Sequence, residues 1–149
     1  MGITIPVRKF FADNTSSVMK PIIYCCSNVN FAEDVFSMNV PLAKKLLEYN
    51  PKRRTMKMEQ CFIEILNQLP DCVVIKDFDV MFNPDYKIDV LQIMTNACKR
   101  KPFSIIWPGK YEAGKLYYAE HGFPDYRVFS VDDYDVICVI EGGTKDEIF

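Results

Sequence analysis

The feature that most constrains this chain is an apolar run, Met58, Cys61, Phe62, Ile65, Leu66 and Leu69, recurring at steps of three and four residues. That period belongs to an amphipathic helix with one buried face, and Pro70-Asp71 ends it. Short β-branched and aromatic runs stand on either side. Residues 22–26 (IIYCC), 35–40 (VFSMNV), 72–75 (CVVI) and 103–107 (FSIIW) each read as a buried strand. Pro41 opens another helix in its first turn, with Leu42, Leu46 and Tyr49 on one face and Asn50-Pro51 at its end. A third helix, about Asp85 to Arg100, turns Val90, Leu91, Met94, Ala97 and Cys98 inward. It finishes on Lys99, Arg100 and Lys101, cations suited to the negative end of a helix dipole. Beyond Pro108-Gly109, Gly114 marks a turn between Tyr111 and the run Lys115 to Tyr118, and residues 128–129 and 136–140 read as short strands. This order predicts a single α/β domain over 1–149, with an α/β core at 1–106 and a β-rich C-terminal extension at 107–149. Only eight residues, Ser27 to Asp34, separate the first two predicted strands, so a full crossover helix does not fit there comfortably.

Glycine placement limits the chemistry. After Gly2 the next glycine is Gly109, so no glycine-rich phosphate loop lies in the first two-thirds of the chain. Gly109 to Lys115 (GKYEAGK) has the spacing of a P-loop, but Leu116 stands where a Ser or Thr would hold Mg²⁺ and a poor helix former follows. The six cysteines include no C-x-x-C pair and have no His at ligand spacing, which leaves zinc ribbons, zinc fingers and thioredoxin-type motifs unsupported and reads as reduced, mostly buried thiols. The N-terminus carries no signal-type apolar run, and no stretch of 18 uncharged apolar residues occurs, so a cytoplasmic protein is expected.

The net charge of −2 is unevenly laid out. Residues 1–60 hold nine Lys/Arg against five Asp/Glu, whereas residues 102–149 hold four against nine. A general nucleic-acid coater is excluded by this balance. Local basic clusters at Lys52, Arg53, Arg54 and Lys57 and at Lys99, Arg100 and Lys101 are the candidate phosphate or DNA contacts, against the simpler reading of solvated loops and helix ends.

Four stretches carry a resemblance: VFSMNVPLAKKLL (35–47), VVIKDFDVMFNP (73–84), KRKP (99–102) and, most specific, WPGKYEAGKLYYAEHGFPDYR (107–127). Through them residues 35–140 resemble the BrxF family, small P-loop proteins of BREX bacteriophage-exclusion systems. The resemblance implies a mainly parallel sheet flanked by helices, of degenerate P-loop NTPase type, and protein partners among a larger ATPase, a methyltransferase and an alkaline-phosphatase-like subunit, acting near DNA. It also implies a phosphate loop between the first two strands, yet SNVNFAED stands there with neither Gly nor Lys. Without them triphosphate binding in the usual mode fails. At the end of 73–75, where such folds place a metal-holding Asp, this chain has Lys76. Asp77, one residue on, is expected to face away from Lys76, and Asp79 reaches the site only if the strand ends at Lys76 and bends. Lys76, Asp77 and Asp79 are thus read as a vestigial metal-binding strand end.

Other constellations are weak. His121 beside Glu120 reads as a loop histidine, and Cys25-Cys26 is poor geometry for redox or metal work. Asp85 and Asp89 read as helix N-terminal charges. Trp107, Tyr117, Tyr118, Phe123, Tyr126 and Arg127 concentrate aromatic and guanidinium character without a basic excess, which favours a protein-contact surface over a base-stacking platform, with packing of the extension itself as the competing reading. The expectation is a non-catalytic binding or scaffolding subunit with no cofactor, no metal and no catalytic residue, able to self-associate. Two alternatives stay open: a nucleotide hydrolase with a non-standard or trans-completed site, and a stand-alone or phage-borne adaptor that binds defence proteins.

Overall fold

A computed structural model describes residues 2–6, 20–25 and 35–140. Six strands form one sheet in the order β1-β9-β2-β5-β4-β3, and every pairing within it is parallel. They are β1 (Ile3–Pro6), β2 (Ile22–Cys25), β3 (Val35–Ser37), β4 (Val73–Lys76), β5 (Phe103–Ile106) and β9 (Ile137–Ile140). The four inner strands are near-continuous apolar runs, as parallel strands covered on both faces must be. A second, antiparallel sheet holds β6 (Lys110–Glu112), β7 (Lys115–Tyr118) and β8 (Arg127–Ser130).

Three helices bury their apolar stripes in the main core: α1 (Asn39–Leu46), α2 (Pro51–Leu66) and α3 (Val90–Cys98). Ile23, Ile75, Ile105 and Cys138 meet them from the sheet. Tyr24, Ile137 and Val139, on the opposite pleat, form a separate small cluster with Ile5 and Ile22. No helix among the described residues is long and apolar enough to cross a membrane.

Four local readings change. First, α2 begins at Pro51, seven residues before its first buried position, because Asn50-Pro51 is an N-cap and N1 pair, whereas α1 has already ended at Leu46. The intervening residues carry no apolar period, and Met56 is 76% exposed. Second, α3 starts at Val90; Asp89 is its N-cap, accepting from the Gln92 N–H at 3.1 Å, whereas Asp85 sits in the preceding turn. Third, β9 does not belong to a C-terminal extension. Its fully apolar ICVI slots between β1 and β2, so the small sheet is an excursion between β5 and β9. Fourth, β1 is a strand that a four-residue ITIP run does not announce. The stretch between β2 and β3, including Cys26 and the expected phosphate-loop position, lies outside the described residues.

Candidate functional site

The carboxyl ends of parallel strands are where an α/β sheet presents its loops to a ligand, and the chemistry-bearing residues of this chain gather there. Val73, Val74 and Ile75 are buried, and β4 ends at Lys76. Asp77 then takes φ +51°, a left-handed conformation that breaks the strand and redirects the chain into the 3-10 turn Asp79–Phe82. The bend that Asp79 needs is therefore present. It also undoes the alternation expected of Lys76 and Asp77: the Asp77 carboxylate lies 3.9 Å from the Lys76 ammonium instead of facing away.

Each carboxylate is met by neutral donors. Ser37 Oγ, at the end of β3, donates to Asp77 Oδ2 at 2.9 Å. Asn39 accepts from the Val80 N–H at 2.9 Å and sends its amide to Asp79 Oδ1 at 3.4 Å. The Tyr118 hydroxyl, at the end of β7, donates to Asp79 Oδ2 at 2.9 Å. Both Asp79 oxygens are thus engaged by side chains 40 residues before and 39 residues after it. Burial, then the hydrogen bond to Asp79, push the Tyr118 phenol well above the usual tyrosine range. Among the described residues no three His, Cys, Asp or Glu side chains gather as a metal-ligand set.

The aromatic residues divide by pleat. Trp107 and Tyr118, expected on a contact surface, are 5% and 8% exposed and belong to the core. The Tyr118 ring stacks on Phe82 at 3.8 Å and 8°, and Trp107 meets Phe78, Phe82 and Phe129 at 5.7–6.3 Å. Trp107 Nε1 donates to the Tyr117 carbonyl at 2.9 Å. Tyr117, Tyr126 and Arg127 are half-buried, and Phe123 is 57% exposed. His121 is an exposed loop residue whose ring meets Tyr126 edge-on at 5.4 Å. Beside this region an open, mostly apolar cleft of about 710 Å³ runs between α1 and the 3-10 turn, lined by Val40, Ala43, Leu47, Val80, Pro84 and Asp125 among others.

The P-loop-like spacing Gly109 to Lys115 is a β-hairpin, β6 to β7, rather than a loop opening a helix. Gly109 is needed because a Cβ there would stand 1.9 Å from the Tyr117 carbonyl oxygen, and Gly114 makes the turn at φ +78°.

The basic clusters do not form one patch. Arg54 Nε donates to the carbonyls of Leu46 (3.0 Å) and Tyr49 (3.1 Å), closing the end of α1. Lys101 donates to the Leu69 carbonyl, and to that of Asn67 at 3.4 Å, closing α2. Arg53, Lys99 and Arg100 remain exposed. The clusters sit at opposite ends of α2, whose 16 residues span about 24 Å.

Ser37, Asn39 and Asp125 join the site without a sequence signal. The first two fall within the run 35–40 that reads as strand, and only the closure of β3 against β4 brings them to Asp77 and Asp79. No family model, curated protein or solved structure matches this chain.

Proposed function

We propose that this chain is a non-catalytic binding or scaffolding subunit of a BREX-like bacteriophage-defence assembly, built on a degenerate P-loop-type scaffold. The end of β4 carries the reading. Where an NTPase of that type keeps a carboxylate free for Mg²⁺, Asp79 is fastened on both oxygens by Asn39 and Tyr118, and Lys76 stands at the strand end. The site's polar groups fasten the small sheet to the large one. β2, whose carboxyl end would bear the phosphate loop, lies between two later strands in the interior of the sheet. The eight residues after Cys26 hold neither Gly nor Lys.

The exposed Phe123, the half-buried Tyr117, Tyr126 and Arg127, and the apolar cleft give the molecule contact area for a protein partner. The partner class that follows from the resemblance is a larger ATPase, methyltransferase or phosphatase-like subunit, with DNA contact indirect. The hydrolase alternative loses its best anchor, since GKYEAGK is a hairpin.

Calorimetric titration with Mg-ATP tests the reading, together with pull-down of a tagged copy co-expressed with its genomic neighbours. Co-purification of a larger neighbour and no ATP binding tighter than about 100 µM, about −5.5 kcal/mol, are expected. ATP binding below that value with turnover would establish the hydrolase instead.

A further inference from the structure

α1 carries two apolar stripes, and the fold uses only one of them. Leu42 and Leu46 are buried in the core. Val40, Ala43 and Leu47 recur at steps of three and four on the side away from them, with Val40 62% and Leu47 67% exposed. Val80 of the 3-10 turn and the exposed Pro84 form the opposite wall, and the open cleft of about 710 Å³ lies between the two rows. Every residue lining it is among the described ones, and two of the six large hydrophobic side chains exposed among the described residues stand in it. Gathered apolar exposure of this kind marks a contact site more than scattered single residues do.

Charge divides the cleft. Asp79 and Asp125 stand together at its Asn39 end: burial, the hydrogen bond to Asp79 and then the charges of both carboxylates raise the Tyr118 phenol. The donors on Asp79, the Asn39 amide and the Tyr118 hydroxyl, are neutral, so its negative charge is kept. Lys44 is the one cation of the lining, five residues along α1 from Asn39 and about 7.5 Å farther down the axis. Neither wall offers a free strand edge, because one is a helix and the other a 3-10 turn, so an extended segment finds no backbone row to pair with. A cleft this open leaves a small molecule mostly in water, whereas the surface of a protein closes it.

We propose that this cleft receives an amphipathic helix of a protein partner, its apolar stripe seated between Val40, Ala43 and Leu47 on one wall and Val80 and Pro84 on the other, with a Lys or Arg of that helix at the Asp79 and Asp125 end. The row from Val40 to Leu47 is about 10.5 Å long, which matches two turns of such a helix. The carboxylate pair fixes its direction and turns away an acidic segment. The inference rests on the binding-subunit reading for there being a protein partner, and on α1 and the 3-10 turn for the shape of the site.

The test is an NMR titration of the full chain, following the methyl groups of Val40, Ala43, Leu47 and Val128. The probes are two short helical peptides with Leu at i, i+3, i+4 and i+7, one flanked by Lys and the other by Glu at the same positions. Saturable shifts at Val40, Ala43 and Leu47 are expected with the Lys peptide, and binding at least about fivefold weaker with the Glu peptide. Leu47→Asp, at an exposed position, should abolish the shifts with the melting temperature unchanged, and Asp125→Asn should weaken the Lys peptide about threefold. No saturable shift with the Lys peptide, equal binding of the Glu peptide, or shifts confined to Val128 overturns the proposal. Concentration-dependent shifts of the cleft methyls without any peptide would assign the cleft to a second copy of the chain and overturn it as well. A Lys peptide that binds while co-expression captures no neighbour leaves the cleft standing and sinks the defence-assembly reading; a neighbour captured undiminished by Leu47→Asp does the reverse.

Discussion

Tyr118 is the residue on which the joint between the two sheets turns, and Tyr118→Phe removes a single hydroxyl from it. The ring keeps its stack on Phe82 at 3.8 Å, so packing is nearly unchanged, while Asp79 Oδ2 loses its donor. A hydrogen bond to a charged group contributes about 1.5–3 kcal/mol. Asp79 is half-buried and water can replace part of the loss, which places the cost near the lower end, about 1.5 kcal/mol. At about 3 °C per kcal/mol for a chain of this size the melting temperature falls by about 5 °C. Tyr118→Ala also empties the aromatic cluster and should cost about 3–5 kcal/mol, a fall of about 10–15 °C. Urea unfolding of Tyr118→Phe, Asp79→Asn and the double variant gives the coupling directly, expected at about 1–2 kcal/mol. The raised phenol adds a pH signature. A group whose pKa rises on folding contributes stability that is complete below its unfolded value, near 10 for tyrosine, and is lost as pH climbs toward the folded value. Wild-type stability should therefore fall with pH above about 10, and Tyr118→Phe should shed part of that slope, the remainder coming from Tyr134, which burial and Asp89 likewise raise. A Tyr118→Phe midpoint within about 0.5 kcal/mol of wild type, with an unchanged denaturant slope, would refute the latch.

Four other outcomes follow from the packing. Phe123→Ala, at a ring 57% exposed, should leave stability within about 0.5 kcal/mol while weakening partner capture, which co-purification measures. Gly109→Ala should cost about 1–3 kcal/mol in urea unfolding, because the hairpin carbonyl of Tyr117 has to yield to the new methyl. Arg54→Met should lose about 1–2 kcal/mol by uncapping α1, with no change in any DNA retention measured on filters. Brief alkylation of the native protein followed by mass mapping should modify exposed Cys72, while Cys61, Cys98 and Cys138 react only after unfolding, the thiols of Cys61 and Cys98 being held up by burial.

Continuous apolar runs made most of the scaffold readable. β2, β4, β5, β9 and the buried half of α2 announce themselves because each buries consecutive or helically spaced apolar side chains. The placement of β9 is a tertiary fact: ICVI reads as a strand in any sheet, and only the gap between β1 and β2 tells which one. At the site, period-two alternation assumes extended backbone, and Asp77 leaves it at φ +51°, a conformation that Asp tolerates better than most residues but does not by itself announce. The aromatic residues misled for another reason. Tyr, Trp and Arg are as suited to a satellite core as to an interface, and composition does not record burial. The pattern that does is the alternation of Lys115 and Tyr117 with Leu116 and Tyr118, in which the first pair faces out and the second in.

That alternation has a consequence for how the surface works. Asn39 opens α1, Asp79 follows β4 and Tyr118 ends β7, so one carboxylate ties together three segments that are far apart in the chain. Trp107 adds a second tie, from the end of β5 to the Tyr117 carbonyl. The small sheet is thereby held against the carboxyl edge of the large one through two adjacent residues at the end of β7, Tyr117 and Tyr118, and its outward pleat carries Tyr117 under the Lys110 ammonium and Val128, 42% exposed. Association is weakened by whatever must be ordered at the interface, about 0.5–1.5 kcal/mol for each mobile side chain. A surface mounted on two ties has already met much of that cost in folding. Asp79 acts as a rivet between the end of β4 and the end of β7, and under the proposed reading the outward pleat so held is the contact face.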